Sequence, residues 1–239
     1  MARLPRHAAR RLVIVGLAAV ALVVWLIANP ANYQSKIADA ETTDQAPSSP
    51  SAALNVLNTL AVQPKYTATK YNRKDFYSNW STYNGCDMRN VILQRDLTET
   101  VLDGCIVLSG VLDDPYTGNT IHFTRGAKTS SAIQIDHVVA LSNAWATGAS
   151  NLDADARREL SQDPLNLLAV DGPANQQKSD QDASEWLPPN VTFQCQYVAR
   201  QVSVKAKYVL WVTSAEKAAI EDVLKACPNE PTVGLDDAS

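Results

Sequence analysis

Seventeen consecutive uncharged residues, Leu12 to Ala28, follow an amino end that carries Arg3, Arg6, Arg10 and Arg11 and no acid. A run of that length is at the short limit for crossing a bilayer and slightly long for a cleavable signal core. Positive charge ahead of it keeps residues 1–11 in the cytoplasm and sends everything after Ala28 outside. Residues 12–28 therefore read as a signal peptide or a signal anchor. Ala38-Asp39-Ala40 has the small-x-small form of a cleavage site, but it sits about a dozen residues later than such sites usually do. A secreted product and a membrane-anchored one, each with its domain extracellular, both stand. Export constrains the four cysteines, at 86, 105, 195 and 227, to an oxidising environment, where an even count points to disulfides. Cys86–Cys105 and Cys195–Cys227 are the favoured pairs, since each encloses a short stretch. No CxxC occurs, which argues against a structural zinc site.

Residues 29–55, rich in Ala, Ser, Pro and Thr, read as a flexible stalk. Residues 56–228 read as one α+β domain, and 229–239 as an acidic tail. Apolar residues at helical spacing predict a helix within Ala52 to Val62. Branched residues predict short strands at Val91–Leu93 and Cys105–Leu108. The turn Asp114-Pro115-Tyr116-Thr117-Gly118-Asn119 predicts a hairpin joining Leu112 to Thr120–Thr124. Further strands are predicted at Ile133 to Leu141 and Leu165 to Val170, with helices over 143–162, from about Ala174, and over 196–212 and 214–226. Within 56–228 there are 16 basic and 19 acidic residues, a net charge of −3. A polyanion would thus need a local basic patch or a bound cation rather than an overall field.

Three segments carry candidate chemistry: Ile135-Asp136-His137-Val138-Val139, Asp163-Pro164-Leu165-Asn166-Leu167-Leu168 and Ala174-Asn175-Gln176-Gln177-Lys178. Phosphodiester hydrolysis needs a group to take a proton from water and positive charge on the phosphoryl oxygens. Imidazole suits the first task, and a hard divalent cation on oxygen ligands suits the second. Asp136 and Asn175 are ligands of that type.

These residues resemble the HNH, or ββα-metal, nucleases, in the variant whose last motif position is Asn. Eight residues separate Asn166 from Asn175, as between the second-strand Asn and the helix ligand of that family. The resemblance extends to an exported, actinobacterial-type group related to the C-terminal domain of the GmrSD restriction enzymes. It rests on Cys86, Gly104-Cys105, Asp114-Pro115-Tyr116-Thr117-Gly118, Arg125-Gly126, the three segments above, Trp186-Leu187-Pro188-Pro189 and Cys195-x-Tyr197. It implies a ββα-metal core with added helices and a small hairpin region. His137 would be the general base, Asp136 and Asn175 would hold Mg²⁺ or another divalent cation, and Asn166 would hold the loop bearing His137. Lys178, one turn beyond Asn175, would meet the same phosphate. In a regular strand Asp136 and His137 face opposite ways, so the strand is expected to end or bulge there.

Bland readings compete with several of these. Asn175 suits a helix cap, His122 a structural role, and Arg125 either a phosphate contact or a surface ion pair. Arg200, Lys205 and Lys207 read as a solvated helix face, or else as a local basic face. The aromatic and basic segment Tyr66 to Trp80, with Lys70, Arg73 and Lys74, reads as an ordered surface loop ahead of a base-stacking face. Trp145, Trp186 and Trp211 read as core. The expected function is a metal-dependent endonuclease acting on nucleic acid, DNA favoured, outside the cytoplasm. The alternative is a non-catalytic exported module that binds nucleic acid or cell-wall polymers.

Overall fold

A strand pair built from residues 133–171 carries the candidate segments, and the helices around it fix their geometry. The computed structural model describes residues 51–234, so the segment 12–28 and most of the predicted stalk lie outside the described residues. Among those described, no helix is long and apolar enough to cross a membrane. The elements are α1 (Ala52–Thr59), β1 (Thr82–Tyr83), β2 (Cys86–Asp87), α2 (Met88–Asp96), β3 (Thr98–Asp103), β4 (Ile106–Asp113), β5 (Thr120–Thr124), β6 (Ile133–His137), α3 (Leu141–Ala146), α4 (Ala154–Gln162), β7 (Leu167–Asp171), α5 (Gly172–Lys178), α6 (Gln194–Lys207) and α7 (Ser214–Lys225). The domain is thus mixed α+β, with three antiparallel sheets: β1–β2, β3–β4–β5 and β6–β7. Disulfides join Cys86 to Cys105 and Cys195 to Cys227, the favoured pairing.

Two apolar cores lie on either face of β6–β7, and strand alternation sorts residues between them. Ile133, Ile135, Leu167 and Ala169 join α2 and the three-stranded sheet. Leu168 and Val170 join α1, α6 and α7. Residues on both sides of 56–228 pack against it. Ser51 caps α1 by accepting from the Leu54 amide, Ala53 and Leu57 are fully buried, and the Val233 amide donates to Ser203 Oγ.

Local corrections have local causes. Val91–Leu93 is helical rather than a strand: Asp87 caps α2 by accepting from the Asn90 amide, and Met88, Ile92 and Leu93 fall on one buried face. The helix expected over 143–162 is two, α3 and α4. Gly148 at φ 130° breaks the first, and Asp153 caps the second through the Ala156 amide. The β4–β5 hairpin forms as expected, pairing Leu112 with Ile121 and Asp113 with Thr120. Gly172 lets α5 start directly against the turn that leads into β6, since a Cβ there would lie 2.2 Å from the Ser131 carbonyl oxygen.

Candidate active site

β6 pairs with β7 in unbroken register, from Ile133 opposite Asp171 to His137 opposite Leu167, and ends at His137. There is no bulge; the termination alone supplies the expected irregularity. Beyond it the chain is held by Asn166, which is fully buried. Its carbonyl accepts from the Val138 amide at 2.8 Å, and its Oδ1 accepts from the Val139 amide at 2.8 Å. From α6, Gln201 Nε2 donates to the Val138 carbonyl and Arg200 Nη1 to the Leu165 carbonyl. A buried turn whose backbone groups are tied in this way is costly to deform.

The two neighbours at the strand end have separate partners, as alternation requires. Asp136 accepts from the Tyr116 hydroxyl and, at 3.0 Å, from the Lys178 ammonium. The Asp114–Gly118 turn therefore delivers Tyr116, also fully buried, to the carboxylate. Burial raises the Asp136 pKa, against the Lys178 charge and the Tyr116 hydrogen bond, which lower it. His137 is 6% exposed. Its Nε2 lies 2.9 Å from the Ser161 carbonyl oxygen, and its ring stacks on Trp80 at 6.1 Å and tilts against Tyr77 at 5.9 Å. A carbonyl can only accept, so Nε2 carries the proton and Nδ1 is left as an acceptor.

Burial pushes the imidazole down from 6.5 to about 3, with the Arg73 and Lys178 charges acting in the same direction. Between those values the unfolded chain holds a proton that the folded chain does not, so this group's stabilisation is lost as pH falls through that window. Thermal unfolding from about pH 7 to about pH 4 should therefore cost the parent more stability than a His137→Gln variant. Equal losses would place the acid sensitivity elsewhere.

Asp136, His137 and Asn175 line one cavity of about 540 Å³, together with Gln134, Arg73 and Tyr71. Asn175 lies inside α5 rather than at its cap, which is Asp171. Its Nδ2 donates to Gln134 Oε1 at 2.9 Å, which fixes the amide plane. Lys178, expected to meet phosphate, has 0% exposure, and its ammonium also donates to the His137 carbonyl at 2.9 Å; it is spent inside the protein. Arg125 Nε donates to the Val107 carbonyl and Nη2 to Asn90 Oδ1, and among the described residues it forms no ion pair. The expected α6 face is not solvated as a whole: Arg200 is buried, and fully buried Lys205 pairs with fully buried Glu216 at 2.8 Å. His122 is exposed on β5, away from this cavity.

Sequence reasoning left Arg73, Tyr77 and Trp80 in a surface loop, whereas the structure sets Tyr77 and Trp80 against the His137 ring and Arg73 over Tyr77. Their signal was present, as aromatics interleaved with basic residues in a segment read as surface loop.

Among the described residues no group of three or more His, Cys, Asp or Glu side chains could hold a metal. The cavity instead offers oxygens: the Asp136 carboxylate, with about four acceptor directions and three contacts from Tyr116 and Lys178, and the amide oxygen of Asn175. Such a set fits a hard cation that keeps most of its water, and does not fit a zinc cage.

Residues 68–223, well over half of the chain, match the family described as "GmrSD restriction endonucleases, C-terminal domain". An "Uncharacterized secreted protein" of Arthroderma benhamiae is 38% identical over 183 residues, 75% of this chain and 86% of that protein. No solved structure matches. The matched span contains α2 through most of α7 and every residue of the cavity, so the chain belongs to the family of the GmrSD restriction endonuclease C-terminal domain, and its function is nuclease-related.

Proposed function

We propose that this domain is an HNH-type endonuclease that hydrolyses phosphodiester bonds of nucleic acid, DNA favoured, outside the cytoplasm. The observation that carries the reading is the convergence of Asp136, His137 and Asn175 on one cavity, with His137 oriented by the Ser161 carbonyl. The β6–β7 pair followed at once by α5 supports the reading of a ββα-metal core, which has two strands and a helix in that order. The family's restriction-enzyme description supports DNA as substrate. Two disulfides, the basic-then-apolar amino end and the secreted relative support an extracellular location, with the protein secreted or anchored through residues 12–28.

In this reading Nδ1 of His137 takes the proton from the attacking water. The Ser161 carbonyl holds the ring's tautomer and stabilises the imidazolium that forms. Asp136 and Asn175 would hold a divalent cation, most simply Mg²⁺, and Gln134 orients the Asn175 amide toward that task. When bound, the cation supplies positive charge for the phosphoryl and leaving oxygens. Tyr116 and Lys178 keep the Asp136 carboxylate in place, and Asn166 keeps the turn after His137 from moving.

Incubation of the purified protein with supercoiled plasmid should give nicked and linear products with Mg²⁺ and none with EDTA. Salt-sensitive binding without any cleavage, with Mg²⁺, Mn²⁺ or Ca²⁺ supplied, would favour the non-catalytic module instead.

A further inference from the structure

The domain carries a net negative charge, so a phosphate entering the cavity must meet positive charge placed there locally. Lys178 cannot supply it, being buried and engaged. Arg89, close by in the fold, donates to the Ser130 and Ile133 carbonyls, and Arg157 to those of Asp75 and Leu152.

Arg73 differs from all of these. It opens a short 3₁₀ turn, Arg73–Asp75, fixed at its start by Asn72, whose side chain accepts from the Lys74 amide. The guanidinium lies over the Tyr77 ring, 5.1 Å from its centroid, and Nη2 donates to the Tyr77 hydroxyl. Tyr77 in turn packs on Trp80, which stacks on His137. Arg73 is exposed and lines the same cavity as Asp136, His137 and Asn175. Among the described residues it forms no ion pair with a carboxylate. Of its five N–H donors only one is committed among the described residues, to a neutral phenol.

A planar cation held against a tyrosine, with donors to spare and lining a cavity beside a candidate base, has the chemistry for bidentate capture of a phosphate. We infer that Arg73 binds the non-bridging oxygens of the scissile phosphate, with Tyr77 as the residue that positions it. This rests on the hydrolase reading above and adds to its metal ion a positive side chain of the protein itself. Recognition is then of the diester itself, so a short oligonucleotide suffices as substrate.

The test compares the parent protein with Arg73→Ala, Arg73→Lys and Tyr77→Phe in two measurements. One is turnover of a short oligonucleotide with Mg²⁺. The other is binding of a fluorescent oligonucleotide in EDTA, followed by anisotropy as salt is raised. Arg73→Ala should lose about 100-fold or more in kcat/KM and reduce the magnitude of the salt slope of binding by about one contact. Arg73→Lys should recover part of the loss, since it restores charge without the fork, and Tyr77→Phe should fall between parent and Arg73→Ala. A parent that cleaves while Arg73→Ala stays within about twofold of it in both measurements overturns the assignment. A parent that does not cleave sinks the hydrolase reading instead, and the metal-free binding data then decide Arg73 alone.

Discussion

His137→Ala should lower the rate of phosphodiester hydrolysis by about 10²–10⁴-fold, the range lost when a positioned general base is removed. The loss should fall on kcat more than on KM, because the imidazole takes its proton in the transition state and is not the group that binds the phosphate. A structural consequence accompanies the chemical one. Removing the ring strips the Ser161 carbonyl of its donor and takes away the stacking surface of Trp80, so the variant should also melt earlier. The two effects separate with added imidazole, which can re-enter the space and restore proton transfer without restoring full stability. Turnover equal to the parent's, in a variant that is folded at the assay temperature, would remove His137 from the chemistry.

Much of the scaffold could be read from the sequence because its signals are local. The Asp114–Gly118 turn and the start of the last helix, where Thr213 and Glu216 form a capping box, each rest on a few neighbouring residues, and the disulfide pairs follow from four cysteines that each have one near partner in the chain. Helix α2 was missed because its branched residues resemble a strand until the Asp87 cap is weighed. The same limit governs the site. Asp136, His137 and Asn175 were legible as a motif, but the partners of the charged residues were not, since those lie tens of residues away. Lys178 reaches across 41 positions to the His137 carbonyl, and Lys205 across 62 to Asn143. A lysine whose partner is distant looks in sequence like any solvated lysine. Arg73 shows the converse: a segment without period read as loop, and only the tertiary fold reveals that it borders the cavity.

The largest stability loss should come from Lys178→Met. Its ammonium is 0% exposed and faces a carboxylate 7% exposed, so removing it leaves Asp136 charged and buried with only neutral donors, the Tyr116 hydroxyl and the His137 backbone, to answer it. Breaking one side of such a pair costs about 3–5 kcal/mol, a large share of a domain's net stability. Adding Asp136→Asn should recover much of that loss, because the second change removes the stranded charge rather than another favourable contact. The pH dependence identifies the cause. Burial already raises the Asp136 pKa, and Lys178 is the strongest influence opposing the rise; without it the folded-state value climbs further above the unfolded one. A carboxyl with a raised folded pKa is most favourable to the fold below its unfolded value, and that contribution is lost as pH rises through the folded value. Measured in EDTA, the deficit of Lys178→Met against the parent should therefore be largest at neutral pH and shrink toward about pH 4, near the unfolded carboxylate range. The double variant should show no such narrowing. A deficit that stays constant with pH, or a double variant no more stable than the single, would mean that Lys178 acts through packing and not by neutralising Asp136.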